Sequence, residues 1–269
     1  MIPFGLAGAG EPVATDRGLE VDVPDGWRQG RTAHGGWSAI FALASARWLA
    51  RNEGLGQLPP LRSATVNLIG PITGRVEARP RLLRRGRNAV WIAAELGPPG
   101  GSDVWLTATF VFMNALASTL AISSHPAPAP VPPPEECPVR IVPDDAPAVF
   151  LRRFESRLIG AMSDYGQSSH ARWLRLLDRT DVDPEAELLA MADWLLPGAA
   201  NLNGRLLPVS SMTWHINLIR PATASSDGWW LARVRALHAA EGISTEQSSV
   251  WDRDGNLAAI AHQAVAVFG

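Results

Sequence analysis

The chain has 269 residues, of which 46% are hydrophobic and 19% charged, with a formal net charge of -2. That is enough apolar material for a sizeable core in one large or two ordinary domains. The near-neutral balance removes the electrostatic basis for binding nucleic acid or an anionic membrane. A single cysteine, Cys137, excludes an internal disulfide and fits a reduced, cytoplasmic setting, and no Cys/His cluster has zinc-ligand spacing. All the basic residues are arginine, which with the many alanines suggests a bacterial, GC-rich origin. Met1 to Gly10 lacks a basic region and a long apolar run, so no signal peptide is expected.

In chain order, the first predicted element is a helix over 34–52, HGGWSAIFALASARWLARN, with Ile40, Phe41, Leu43, Ala44 and Trp48 at helical spacing. Strand patterns follow: LRSATV running into NLIGPIT (67–73), then GRVEARPRLL, GRNAVWIAAEL and VWLTATFVFM. The uncharged run from Val104 to Ser124 is about as long as a membrane-spanning helix requires. Its β-branched and aromatic first part, after a Gly-Gly turn, instead reads as a buried strand. His125 to Pro147 is too rich in proline for a helix interior or a central strand and is expected to be an extended connector. The expected partition is therefore 1–124, a Pro-rich linker at 125–147, and 148–269.

The second part repeats the first. A helix is predicted over 183–198, DPEAELLAMADWLLPG, with Asp183 as N-cap, Pro184 in its first turn and Pro197-Gly198 as its stop. VSSMTWHI then runs into NLIRPAT (217–223), which matches NLIGPIT at five of seven positions with an offset of 150. WWLARVRALHA, GISTEQSSVWD and NLAAIAHQAVAVF complete the set in the same order. Such order at a fixed offset points to an internal duplication. One largely apolar helix followed by antiparallel strands, twice, predicts an α+β double hotdog. In it, each long helix is wrapped by its sheet and the two repeats are fused into a pseudo-dimer.

HGG opening a buried helix, then NLIGPITG, LLRRGRNAVWIAAEL and an apolar strand, resembles the first half of the acyl-CoA thioesterase II (TesB-type) family. FLRRFESRL, ARWLRLLD, LLAMADWLLPG, SSMTWHINLIRP and DGNLAAIAHQAVAV are similar to its second half. The resemblance runs from about Gly26 to Phe268 and implies hydrolysis of an acyl-CoA, with a place in fatty acid metabolism. It implies a water-activating set of an acid on the second helix, a hydroxyl on the next strand and a glutamine on the last. By position these fall on Asp193, Ser211 (with Ser210 as the neighbouring alternative) and Gln263.

The residues support those assignments independently. Asp193 lies among leucines, alanines and a tryptophan, where a carboxylate has a raised pKa and becomes a better base unless a wet helix face relieves it. Gln263 interrupts an apolar strand, and its amide can orient water without titrating. At the helix start, His34 and the Gly35-Gly36 turn offer free backbone amides to a thioester carbonyl, with Gly36 the main candidate. Ser45 stands in the first helix near the place where single-repeat relatives carry an acid, so one working site per fused pair is expected. Arg84, Arg85, Arg87 and Arg205 are candidates for CoA phosphates. No cofactor or metal is expected, and the expected partners are the small-molecule substrate and a possible homodimer. Two rival readings remain. One is a hydratase or dehydratase pairing His34 with Asp193; the other is a non-catalytic binder of acyl groups or small ligands.

Overall fold

The computed structural model describes residues 4–160, 167–202, 207–223 and 225–268. The N-terminal repeat contains β1 (Val13–Ala14), β2 (Leu19–Asp22), the hairpin β3 (Arg28–Gln29) and β4 (Thr32–Ala33), and helix α1 (Gly35–Asn52). It continues with β5 (Leu61–Leu68), β6 (Arg75–Arg85), β7 (Ala89–Gly97) and β8 (Leu106–Met113). The C-terminal repeat contains β9 (Phe154–Leu158), β10 (Ser169–Leu176) and α2 (Pro184–Ala192). Its remaining strands are β11 (Val209–Leu218), β12 (Trp230–Ala240), β13 (Ile243–Asp252) and β14 (Leu257–Val267).

Twelve of the strands form one sheet in the order β1-β2-β6-β7-β8-β5-β11-β14-β13-β12-β10-β9. The order reads the same from either end once equivalent strands are matched. The seam is the antiparallel pair β5–β11, where Thr65 lies opposite His215 and their side chains meet at 3.0 Å. Those residues are separated by the repeat offset of 150, as a pseudo-twofold axis through the seam requires. Both repeats carry the same β-bulge, between Leu61 and Ser63 in one and between Ser211 and Thr213 in the other.

Alternation along β8 explains the sheet's one-sidedness: Leu106, Ala108, Phe110 and Phe112 are buried while the residues between them are partly exposed. The buried face packs on α1, which is apolar on nearly every side; Trp37, Ile40, Phe41 and Leu43 are at most 1% exposed. Phe41, Phe4 and Trp37 stack against one another, with ring centroids 5.5 to 5.8 Å apart. One apolar cluster continues through α2 and both repeats.

The second helix departs from expectation. It was expected to run over 183–198 as a long helix, but it spans only Pro184–Ala192, and Asp193 is its C-cap residue. Its start is as expected, with the Asp183 carboxylate accepting from the Glu185 and Ala186 amides at 3.1 and 2.9 Å. Its end is set by tertiary partners. The Ala192 carbonyl accepts from Ser248 Oγ and the Asp193 carbonyl from His34 Nε2, so both carbonyls are satisfied without another helical turn. Pro197-Gly198 opens a short 3₁₀ turn, Gly198–Asn201, whose first two amides are held by the buried carboxylate of Glu246 on β13.

The Pro-rich stretch carries no strand of the main sheet, and it lies against the C-terminal repeat. Trp173 Nε1 donates to the Pro132 carbonyl and Trp251 Nε1 to the His125 carbonyl, above a small cluster that includes Cys137. Residues 104–124 form β8 and then irregular chain in which Leu120 and Ile122 are exposed. Among the described residues, no helix is long and apolar enough to cross a membrane.

The stacked, fully buried position of Phe41 sets an expected outcome for Phe41→Ala: a loss of about 3–5 kcal/mol of unfolding free energy, read as a lower denaturant midpoint.

Candidate active site

The two repeats meet around one carboxylate. Asp193 follows the last residue of α2, and its side chain is 12% exposed. Gln263 Nε2 on β14 donates to its Oδ1 at 2.7 Å. His34 Nε2, from the residue before α1, lies 3.2 Å from its Oδ2 and 3.1 Å from its backbone carbonyl. Both neighbours of that ring nitrogen are acceptors, so it carries the proton and Nδ1 does not. The Gly36 backbone amide also favours the charged carboxylate.

Burial dominates the electrostatics. Desolvation pushes the Asp193 carboxyl above the usual carboxylate range, against opposing pulls from His34, the Gln263 amide and the Gly36 amide. Burial holds the His34 imidazole below its ordinary value despite the attraction of Asp193. A neutral Nε2–H imidazole donating to a carboxylate of raised pKa satisfies both directions. His34 is itself 1% exposed and stacks on Phe150 with ring centroids 3.8 Å apart.

Two glycines make the approach possible. A Cβ on Gly35 would lie 2.8 Å from Asp193 Oδ2, and one on Gly36 would lie 2.8 Å from the His34 ring and 3.3 Å from Asp193 Cβ. The HGG sequence thus lets the start of α1 close against the end of α2.

Asp193 opens into a cavity of about 350 Å³. Gly35, Gln263, Ser210 and Ser211 share its wall with Asp193, and Leu68, Ile72, Phe150 and Leu195 supply apolar surface. Gln29 and Thr32 of the β3–β4 hairpin also border it. No arginine lines it among the described residues. Ser211 pairs with Val265, two residues from Gln263 on the same face, so it looks inward; no hydrogen bond joins its hydroxyl to Asp193 or Gln263 among the described residues.

Asp193, Gln263, Ser211, Gly35 and Gly36 are therefore gathered in one place, with His34 directly behind them. The roles differ in detail from those expected. Gln263 holds the carboxylate itself. Gly35, rather than Gly36, forms the cavity wall, and the Gly36 amide is engaged with Asp193.

Arg84, Arg85 and Arg87 are elsewhere. They occupy the exposed β6–β7 turn, level with Met113 at one end of β8, whereas the cavity lies near Leu68, opposite Leu106 at the other. Seven residues of strand separate those ends, about 20 Å. Arg84 lies over the Trp91 ring instead. Arg205 lies outside the described residues.

Phe150 and Glu246 went unnoticed in the sequence. Phe150 opens the expected entry-strand stretch FLRRFESRL but lies in a 3₁₀ turn (Val149–Arg153), and nothing local marks it as the partner of a histidine far upstream. Glu246, 1% exposed, positions the turn beyond Asp193; a lone acid within GISTEQSSV was its only signal.

The sequence profile of the acyl-CoA thioesterase N-terminal domain matches residues 23–113, and that of the C-terminal domain matches residues 134–267. The chain belongs to the acyl-CoA thioesterase family and is a thioester hydrolase by class. No curated protein matches it. Among solved structures it is similar to a conserved Alicyclobacillus acidocaldarius protein of unknown function with a hotdog fold. The TM-score is 0.77 at 21% identity, covering 97% of each chain. It is also similar to an acyl-CoA thioesterase II from Mycobacterium marinum, with a TM-score of 0.73 at 18% identity over 96% of each chain. A TesB protein of Mycobacterium avium subspecies paratuberculosis gives 0.74 at 16% identity, covering 98% of this chain and 97% of that one. These likenesses establish the hotdog fold.

Gly35→Ala is expected to displace the Asp193 carboxylate while leaving the fold intact, because the clash is confined to one side-chain oxygen and a leucine methyl. A fall in thiol release from acyl-CoA of about 10²-fold, with an unchanged circular dichroism spectrum, is the expected reading.

Proposed function

We propose that the chain is a double-hotdog acyl-CoA thioesterase in which Asp193 activates water at a single site between the repeats. The observation that carries the reading is the desolvated carboxylate held at 2.7 Å by Gln263 on the wall of a cavity. Water bound beside Asp193 attacks the thioester carbonyl carbon and gives its proton to the carboxylate. The Gln263 amide oxygen, left free by the donation from Nε2, and the Ser211 hydroxyl orient that water. Negative charge developing on the carbonyl oxygen faces the Gly35 amide at the positive end of α1. The carbon–sulfur bond then breaks, the sulfur takes the proton back from Asp193, and CoA leaves as the thiol beside the free acid. Direct attack by the Asp193 carboxylate, followed by hydrolysis of the mixed anhydride, uses the same geometry. Neither route calls for a metal or redox cofactor.

The same proposal takes residues 1–124 and 148–269 as the two repeats, joined by the 125–147 linker. It takes a small-molecule acyl-CoA as the partner, in a cytoplasmic bacterial setting, with pairing of double hotdogs into a homodimer. A hydratase reading needs His34 to reach substrate. The buried, Phe150-stacked imidazole instead supports a positioning role, with its proton directed at Asp193. A purely ligand-binding role would leave the raised carboxylate without use.

Asp193→Asn tests the reading through two opposed effects. Thiol release is expected to fall by about 10²–10⁴-fold. Stability is expected to rise: the folded-state pKa of Asp193 is raised, so the carboxyl costs stability progressively as the pH climbs from the ordinary carboxylate value to the raised one, and in full above it, whereas asparagine mimics the neutral form. Retained turnover would overturn the proposal. For the parent enzyme, the acid limb of kcat/KM is expected to lie above the usual carboxylate range, because turnover needs the ionised form.

A further inference from the structure

The pseudo-twofold axis generates a second cavity. Shifted by the repeat offset of 150, Pro71 and Ile72 of the first cavity become Pro221 and Ala222, and Val209 and Ser210 become Pro59 and Pro60. All four of those equivalents line a cavity of about 510 Å³ at the other end of the seam. It is bounded by the start of α2 and the end of α1, as the first is bounded by the start of α1 and the end of α2.

Its chemistry is inverted. By ladder position the counterpart of Gln263 is Phe110, since Trp214 pairs with Gln263 and Ala64 with Phe110. Asp183-Pro184-Glu185 stands where the first site has its glycine corner, so one helix-start amide is lost to proline. From α1 come Arg47 and Arg51 rather than an acid. Arg47 is neutralised, because it bonds Asp183 at 3.1 Å and also reaches Glu185. Those acids are spent elsewhere as well, Asp183 capping α2 and Glu185 accepting from the Leu61 amide at 2.6 Å. Arg51 has no ion pair with any acid among the described residues. The rest of the wall is largely apolar, with Leu58, Phe112 and Ala222.

We propose that this twin cavity is a non-catalytic binding site for a monocarboxylate with a short apolar tail, its carboxylate on Arg51 and its tail along Leu58, Phe112 and Ala222. One uncompensated guanidinium beside apolar surface matches one negative charge at the end of a hydrocarbon. The Arg51 side chain is exposed at the edge of the cavity, with the like charge of Arg47 four residues back on the same helix, a repulsion that a bound anion relieves. The acid released by thioester hydrolysis has this chemistry, so the cavity is placed to sense product. That last link rests on the hydrolase reading; the binding itself does not.

Calorimetric titration with hexanoate, without acyl-CoA, tests the site. Hexanoate is expected to bind the parent and Asp193→Asn proteins alike, and hexanamide is expected not to bind. Arg51→Gln, and independently the cavity-filling Ala222→Trp, are each expected to weaken binding about tenfold or more. The initial rate of thiol release should stay at the parent level in both variants. Hexanoate binding that survives Arg51→Gln, equal binding of hexanamide, or displacement of hexanoate by free CoA overturns the proposal. Because no thioester is present, failed hexanoate binding leaves the hydrolase reading standing, and failed turnover leaves the Arg51 site standing.

Discussion

A carboxylate removed from water has to be held by donors, and the arrangement between the repeats follows from that requirement. An isolated buried charge is costly enough that the group neutralises or finds hydrogen bonds. Asp193 finds them in Gln263 of its own repeat and in His34 and Gly36 of the other. None of these contacts exists within the N-terminal repeat alone. They depend on the β5–β11 seam bringing the start of one helix against the end of the other, and on two glycines that leave room for the approach.

The surroundings fix the carboxylate's position by stopping α2 early. Ser248 takes the Ala192 carbonyl that another helical turn would have used, His34 takes the Asp193 carbonyl, for which Pro197 offers no amide, and Glu246 anchors the chain a few residues further on. The segment 193–197 is thereby held as cavity wall rather than helix. Phe150 completes the support by packing flat against His34, so the imidazole meets solvent on neither face.

Much of this was legible in the sequence because it was carried by local pattern. Matching heptapeptides 150 residues apart pointed to an internal duplication, and in the structure Thr65 lies opposite His215 at that same offset. An aspartate among leucines and a glutamine within an apolar strand stood out by violating their surroundings, and they proved to be partners. The end of α2 was not legible: LLAMADWLL is good helical sequence up to Pro197, and what ends the helix earlier, at Ala192, comes from β13 and from the chain before α1. The place of the basic turn at Arg84–Arg87 was not legible for a related reason, since sequence shows a hairpin's composition and not which end of the sheet it faces. The pairing of His34 with Phe150, more than a hundred residues away, had no local signal at all.

The continuous chain through both repeats carries an evolutionary consequence. When two identical subunits associate about a true dyad, every substitution appears at both symmetric sites, so a residue that improves one and harms the other is filtered out. Joining the copies in a single gene removes that coupling. The acid end and the arginine end of this seam are free to drift under separate selection while the shared backbone scaffold keeps them in register. The identical bulge retained near both ends shows how conservative the scaffold has been while the side chains parted.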